Sequence, residues 1–163
     1  MRALIQRVRG NCTIDIPEES YTQNFNGVGL VVLLGWLQED IHIDPTIIDG
    51  TEDWLLSRIL GLRIFEDKNG KMNLNLEDYS KEHSLDSGIL WVSQFTLAAE
   101  LESGFRPSFT KAMNPIPAEK RYHKFCEKIS SRSPHKNIFG IFGKEMDLSF
   151  NNWGPVTILL EKK

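Results

Sequence analysis

Only two cysteines, Cys12 and Cys126, occur in 163 residues, and neither stands at a short metal-ligand spacing. That excludes a disulfide scaffold and a cysteine-built zinc site, and a reducing cytoplasm is the simplest setting. Histidine is scarce as well. His42, His83, His123 and His135 have no Asp, Cys or second His at ligand spacing, so all four are expected at the surface. Asp67, Asn69, Asn73 and Asn75 do not match a calcium loop and lack its closing Glu, and no metal or other cofactor is expected. Gly27-Val28-Gly29 precedes a strand pattern, whereas a nucleotide-binding glycine loop follows one. The longest apolar run near the start, Val28 to Leu37, is broken by glycines and far short of a membrane span. The opening reaches Gln6 and Arg7 at once, so neither a signal peptide nor a membrane is expected. A net charge of -3 argues against a protein that coats DNA, but not against one that grips only the end of an RNA.

What is present is an ordinary globular composition, 40% hydrophobic and 25% charged, enough for a buried core over residues 1–163 as one domain. Ala3–Val8 and Cys12–Ile16 read as strands, with a turn at Pro17–Ser20. Leu30–Leu34, bounded by Gly29 and Gly35, fits a strand buried on both faces. Residues 36–50 read as loop. A helix follows, with Thr51 as a plausible N-cap, Glu52 and Asp53 in its first turn, and Trp54, Leu55, Ile59 and Leu62 on one face. Arg63–Phe65 suggests a short strand, Asp67–Gly70 a turn, and residues 77–88 a loop. Ile89–Leu97 is a strand that turns polar toward its end. Residues 98–115 look irregular. Ala118–Ile129 is a helix with Ala118, Tyr122, Phe125, Cys126 and Ile129 inward and Glu119, Lys120, Lys124 and Lys128 largely outward. Met146–Phe150 and Val156–Leu160 are strands interrupted at Asn151–Pro155. The sum is an α+β chain, with an antiparallel or mixed sheet, or barrel-like core, and two packed helices.

Three segments offer chemistry. Ser93-Gln94-Phe95-Thr96-Leu97 presents hydroxyls, an amide and an aromatic ring at a strand end, although no local base would activate a hydroxyl nucleophile. Asn152-Trp153-Gly154-Pro155-Val156-Thr157 places a Gly-Pro turn inside a strand pattern, where carbonyl oxygens can be aimed. In Gly104–Phe109, Arg106 suits a phosphate or carboxylate, while Phe105 and Phe109 equally suit a core that anchors the loop. Taken singly, each is also explained by plain strand, turn or loop structure.

Collinear motifs go further. Ala3-Leu4-Ile5-Gln6-Arg7-Val8, Gly29–Gly35, Leu62–Phe65, Gly70–Leu74, Val92–Ala98, Arg106–Phe109, the helix positions Ala118, Tyr122 and Phe125, Phe142-Gly143, Met146 and Asn152–Thr157 run in order along the chain. Together they resemble the D-aminoacyl-tRNA deacylase (D-tyrosyl-tRNA deacylase) family. The resemblance implies a homodimer that hydrolyses the ester of D-aminoacyl-tRNA, and of glycyl-tRNA. It assigns catalysis to Ser93, Gln94, Phe95, Thr96, Gly154 and Pro155. Substrate contact falls to Gln6, Phe95, Arg106, Met146, Asn152, Val156 and Thr157. It also implies that a cis Gly154-Pro155 from the second subunit rejects the L side chain, with the tRNA 3′ end as partner. A main-chain mechanism ranks above a Thr96 nucleophile. The alternatives are a related deacylase that clears mischarged L-aminoacyl-tRNA, and a non-catalytic RNA-binding dimer.

Three departures stand out. The Asn11–Phe25 hairpin and residues 36–52 look extended, and Trp153 stands where a small polar residue is frequent. Lys120, Arg121, Lys124 and Lys128, with Lys144, Lys162 and Lys163, are either a solvated face or a contact for the acceptor-stem backbone.

Overall fold

A computed structural model describes residues 1–41, 44–102 and 104–162 of the chain. His42 and Lys163, named above, lie outside them. The first two strands, β1 (Arg2–Ile16) and β2 (Tyr21–Gly35), form one long antiparallel hairpin paired from Arg2↔Gly35 to Ile16↔Tyr21. The two separate strands expected at the start are therefore one: the ladder runs unbroken through Arg9, Gly10 and Asn11, where sequence alternation fades because those residues are exposed. A 3-10 turn at Pro17–Glu19 closes the hairpin, and Ser20 there takes the left-handed conformation.

The first helix, α1 (Pro45–Leu60), begins earlier than the sequence suggested. Its N-cap is Asp44, whose carboxylate accepts from Thr46 N–H at 2.9 Å, and Pro45 occupies the first turn, where its missing N–H is harmless. Thr51 is mid-helix, its hydroxyl donating to the Ile47 carbonyl. The first-turn reading of Glu52 and Asp53 fails with it. Next come the short pair β3 (Phe65–Glu66) and β4 (Met72–Leu74), joined through Gly70 at φ +73°. Then comes α2 (Leu76–His83), a helix where a loop was expected. Its polar sequence hid it, but Asn75 caps it by accepting from Asp78 N–H, and Leu76 anchors its buried side. Strand β5 (Ser87–Ser93) precedes a 3-10 turn at Phe95–Ala98. Helix α3 (Pro115–Arg132) buries Ala118, Tyr122, Phe125 and Ile129 on the face read from sequence, and leads to β6 (Lys136–Phe139) and β7 (Asp147–Glu161). The described residues thus hold three α-helices rather than two, in the expected α+β class. None of these helices is long and apolar enough to cross a membrane.

The main sheet is mixed, in the order β6-β5-β2-β1-β7, with β5 parallel to β2 and to β6 and the other pairs antiparallel. Strands β2 and β5 lie centrally, which explains their near-continuous apolar runs. One sheet face carries Ile5, Leu30, Val32, Leu34 and Trp91 against the helices; the other carries Val8, Ile14, Val31, Leu90 and Val92.

His135 is buried rather than exposed, with its Nδ1 hydrogen-bonded to the Ser87 hydroxyl at 2.8 Å. The outward reading of α3 also changes. Arg121, Lys124 and Lys128 turn to α1, where they meet Asp49, Glu52 and Asp53. Acidic residues spaced three and four apart on α1 present carboxylates to a basic stripe on α3, so charges that seemed free for a partner are largely spent within the fold.

Candidate active site

Strand β5 stops at Ser93 because the chain turns sharply after it. Gln94 N–H still donates to Leu34 O at 2.6 Å, one step beyond the parallel ladder, and then residues 95–98 wind into the 3-10 turn. Gly35 permits this approach: a Cβ there would stand 3.0 Å from the Gln94 carbonyl oxygen. The turn is held at both ends. Gln94 Nε2 donates to Thr96 Oγ1 at 2.6 Å, and Arg2 Nη1 donates to the Leu97 carbonyl at 2.8 Å while Arg2 Nε reaches Glu161. No acceptor among the described residues takes the Phe95 or Thr96 N–H, so two adjacent backbone donors remain for a ligand.

These residues border a cleft of about 680 Å³, within the size range of small-ligand pockets. Ser93, Gln94 and Phe95 form one wall, Trp36 and Met113 another, and Met146 a third. Phe95 is 58% exposed, and its ring meets Phe109 edge-on at 5.0 Å. No histidine lines the cleft among the described residues, and its lysine, Lys144, is paired with Glu19 at 2.5 Å. Thr96 is exposed beside the cleft with its oxygen occupied by the Gln94 amide, not by a base. Arg106 and Phe105 are exposed on the loop that precedes Phe109, so Phe105 is not the core anchor that its sequence equally suited.

The remaining predicted residues gather elsewhere. Strands β1 and β7 pair Val8 with Asn152 and Gln6 with Thr157, so a single residue, Arg7, faces the stretch Trp153–Val156. The extra length bulges out as a corner containing the cis Gly154-Pro155 bond. Gly154, Pro155, Asn152 and Thr157 are exposed, while Val156 plugs into the core. None of Gln6, Asn152, Gly154, Pro155, Val156 or Thr157 lines this cleft.

Arg7, which sequence reading passed over, organises this corner. It is 1% exposed, and its guanidinium donates to the carbonyls of Ile64 (2.5 Å), Trp153 (3.1 Å) and Gly154 (3.3 Å). It also lies 4.4 Å from the Trp153 ring centroid. Burial pulls its pKa below the usual arginine value, with Glu66 pushing the other way, yet arginine stays charged. A signal was available: Arg7 is in phase with Ala3 and Ile5 on a strand whose alternate residues face inward.

The profile of the D-Tyr-tRNA(Tyr) deacylase family matches residues 4–161. A D-aminoacyl-tRNA deacylase of Histophilus somni (strain 2336) is 41% identical over 160 residues, covering 98% of this chain and 99% of the relative. One of Macrococcus caseolyticus (strain JCSC5402) is 40% identical over 163 residues, covering 100% and 97%. Among solved structures, one titled c-Myc DNA Unwinding Element Binding Protein superposes with a TM-score of 0.80 at 32% identity, covering 100% of this chain and 99% of that one.

Proposed function

The chain belongs to the D-Tyr-tRNA(Tyr) deacylase family, and on that premise we propose that it hydrolyses the ester joining a D-amino acid to the 3′ end of tRNA. It does so as a homodimer in which the Gly154-Pro155 corner of one copy enters the cleft of the other. The observation that carries this reading is the separation just described. The cleft residues and the corner residues form two groups, and within one protomer the corner lies outside the cleft. An exposed, rigidly held corner and an open cleft in one chain are complementary halves that two copies complete twice.

In this arrangement the aminoacyl carbonyl oxygen sits on the Phe95 and Thr96 N–H groups. A donor of this kind is worth about 2.7–4 kcal/mol where it has been measured. Water attacks the carbonyl carbon. The ester C–O bond breaks, and the water's proton ends on the departing ribose oxygen, with the neighbouring 2′-hydroxyl placed to relay it. The terminal adenine stacks on Phe95 beside Phe109, and Arg106 on the adjoining loop meets phosphate. Met146 lines the amino-acid end of the cleft, and Gln6, Asn152, Val156 and Thr157 flank the inserted corner. The corner's carbonyls leave no room for an L side chain beside the α-carbon, whereas D-amino acids and glycine fit, so glycyl-tRNA is also a substrate.

Purified protein should clear D-tyrosyl-tRNA and glycyl-tRNA and spare L-tyrosyl-tRNA, and should elute as a dimer. Equal hydrolysis of both enantiomers, or a folded monomer with full activity, overturns the reading. Thr96→Ala should keep single-turnover hydrolysis within about tenfold, since it removes a side chain and not the main-chain donors. A loss of a thousandfold with substrate binding intact, or an aminoacyl adduct on Thr96, would replace the main-chain mechanism with a nucleophilic one.

A further inference from the structure

Trp153 stands next to the corner, and nothing in the reaction as proposed uses it. Its indole is half-buried. It faces the Arg7 guanidinium at 4.4 Å and the Arg9 guanidinium at 5.1 Å, and it meets Phe65 and Tyr79 edge-on at centroid separations of 6.1 and 5.9 Å. Tyr79 in turn is stacked on His83 and tilted against Phe65. Among the described residues, Arg7 has no carboxylate in hydrogen-bond contact. Its charge rests on three carbonyl dipoles and on aromatic faces, and its contact to Gly154 O is the longest of the three. A guanidinium roofed by an indole is shielded from water, which would otherwise compete for its N–H groups.

We propose that Trp153 is a positioning residue that acts through Arg7: its indole closes over the guanidinium gripping the Trp153 and Gly154 carbonyls, and so sets how strictly the Gly154-Pro155 corner excludes the L side chain. This rests on the reading that the corner enters the cleft of a second copy. Trp153 itself touches no substrate. Without the indole, water reaches the guanidinium, the weakest of its grips loosens first, and the Gly154 carbonyl gains freedom. That freedom matters little to a D substrate, whose side chain points elsewhere, and most to the clash that rejects the L form.

The test uses the full-length protein with Trp153→Ser and Trp153→Phe. The first readout needs no substrate: the Arg7 Nε–H resonance in an amide-type NMR spectrum. It should be slow to exchange and shifted upfield by the indole in the parent, fast in Trp153→Ser, and intermediate in Trp153→Phe. The second is the ratio of D- to L-tyrosyl-tRNA hydrolysis. It should fall about tenfold in Trp153→Ser, the size expected for a well-shielded cation–aromatic contact, while the D rate moves less than threefold, and Trp153→Phe should recover most of the ratio. An Arg7 signal unprotected in the parent, or equally protected in folded Trp153→Ser, overturns the proposal. So does an unchanged D-to-L ratio in a folded variant. If Trp153→Ser does not fold, the parent signal and Trp153→Phe decide. Failure of the functional reading looks different: the parent itself shows no enantiomer preference, and the Arg7 resonance still reports whether Trp153 holds the corner.

Discussion

Arg7 and Glu52 are the two charged side chains most completely withdrawn from water among the described residues, at 1% and 0% exposure, and they are housed in opposite ways. Arg7 is a cation among backbone carbonyls and aromatic rings, on the strand facing the Gly-Pro corner. Glu52 is a carboxylate among cations. Its Oε1 accepts from Trp36 Nε1 at 3.0 Å and Arg121 Nε at 2.9 Å, and its Oε2 lies 3.6 Å from Lys128 Nζ without a hydrogen bond. A forked guanidinium that grips successive carbonyls fixes the direction of a peptide segment, which is what a selective surface needs. A carboxylate that gathers side chains from β2's end, α1 and α3 fixes the packing of elements and leaves their backbones to their own ladders. On the proposed function, equal burial therefore serves the site in one place and the scaffold in the other.

The largest expected effect separates the two directly. Arg7→Ala orphans three carbonyls and opens a cavity, and should cost about 3–5 kcal/mol in urea denaturation. It should also erase discrimination between D- and L-aminoacyl-tRNA. Arg7→Lys keeps charge without the fork and should restore stability only in part. If Arg7→Ala folds as stably as the parent and still rejects L substrate, the division of labour is wrong. Next, Glu52→Ala leaves Trp36 Nε1 unpaired and Arg121 with Asp49 alone, a loss of about 2–4 kcal/mol. Glu52→Gln keeps a carbonyl for Trp36 and should cost about 1 kcal/mol. Neither should change the D-to-L ratio, and a changed ratio in a stable variant would place Glu52 in the site.

Acid titration sharpens the same contrast within the α1–α3 contact. Hydrogen bonds from Lys124 and Arg121 hold the Asp49 carboxyl down at about 2. Its folded pKa is below its unfolded value, so its stabilisation is full above pH ~4 and is lost as pH falls toward ~2. Burial pushes Glu52 up, against the pull of Trp36 and Arg121. Its contribution has the other sign: it favours the fold most below its ordinary value near 4.5 and declines as pH rises through its higher folded pKa. Asp49→Asn should flatten the acid limb of a stability-against-pH curve, and Glu52→Gln should flatten the limb above it. His135 supplies a smaller effect. Burial lowers its pKa below 6.5, so stability should begin to fall as pH drops below that value, and His135→Gln should remove that inflection. Smallest of all, Lys124→Ala should leave the salt dependence of tRNA binding unchanged, because its ammonium is already paired with Asp49 at 2.9 Å. A slope reduced by one charge would return α3 to the list of RNA contacts.

Much of the scaffold was legible where periodicity was strong. The buried face of α3 and the apolar runs of β2 and β5 follow directly from residue spacing. Helix α2 was not legible, because eight mostly polar residues form it on the strength of an Asn75 cap and one buried leucine. The start of α1 was misplaced for another reason: Asp44-Pro45-Thr46 is a good cap, but Gly50 within the polar run Asp49–Asp53 interrupts the helical face between Ile48 and Leu55. In the candidate site, the segments Ser93–Thr96 and Asn152–Thr157 were both visible as interruptions of strand pattern. The cleft walls Trp36 and Met113 were not, since they come from distant stretches whose sequences read as ordinary core and loop.

Local order thus came from the chain itself: which stretches become strands or long helices, and which short motifs break that order. Such features depend on neighbours a few residues apart, and the pattern of apolar and polar residues records those neighbours. Tertiary structure alone decided that Arg7 would close on the Trp153 and Gly154 carbonyls, that the basic stripe of α3 would be consumed by α1, and that the cleft and the corner would lie apart in this chain. These depend on strand register and on packing between residues 69 to 147 positions apart, where no local period carries information about which partner a side chain will meet.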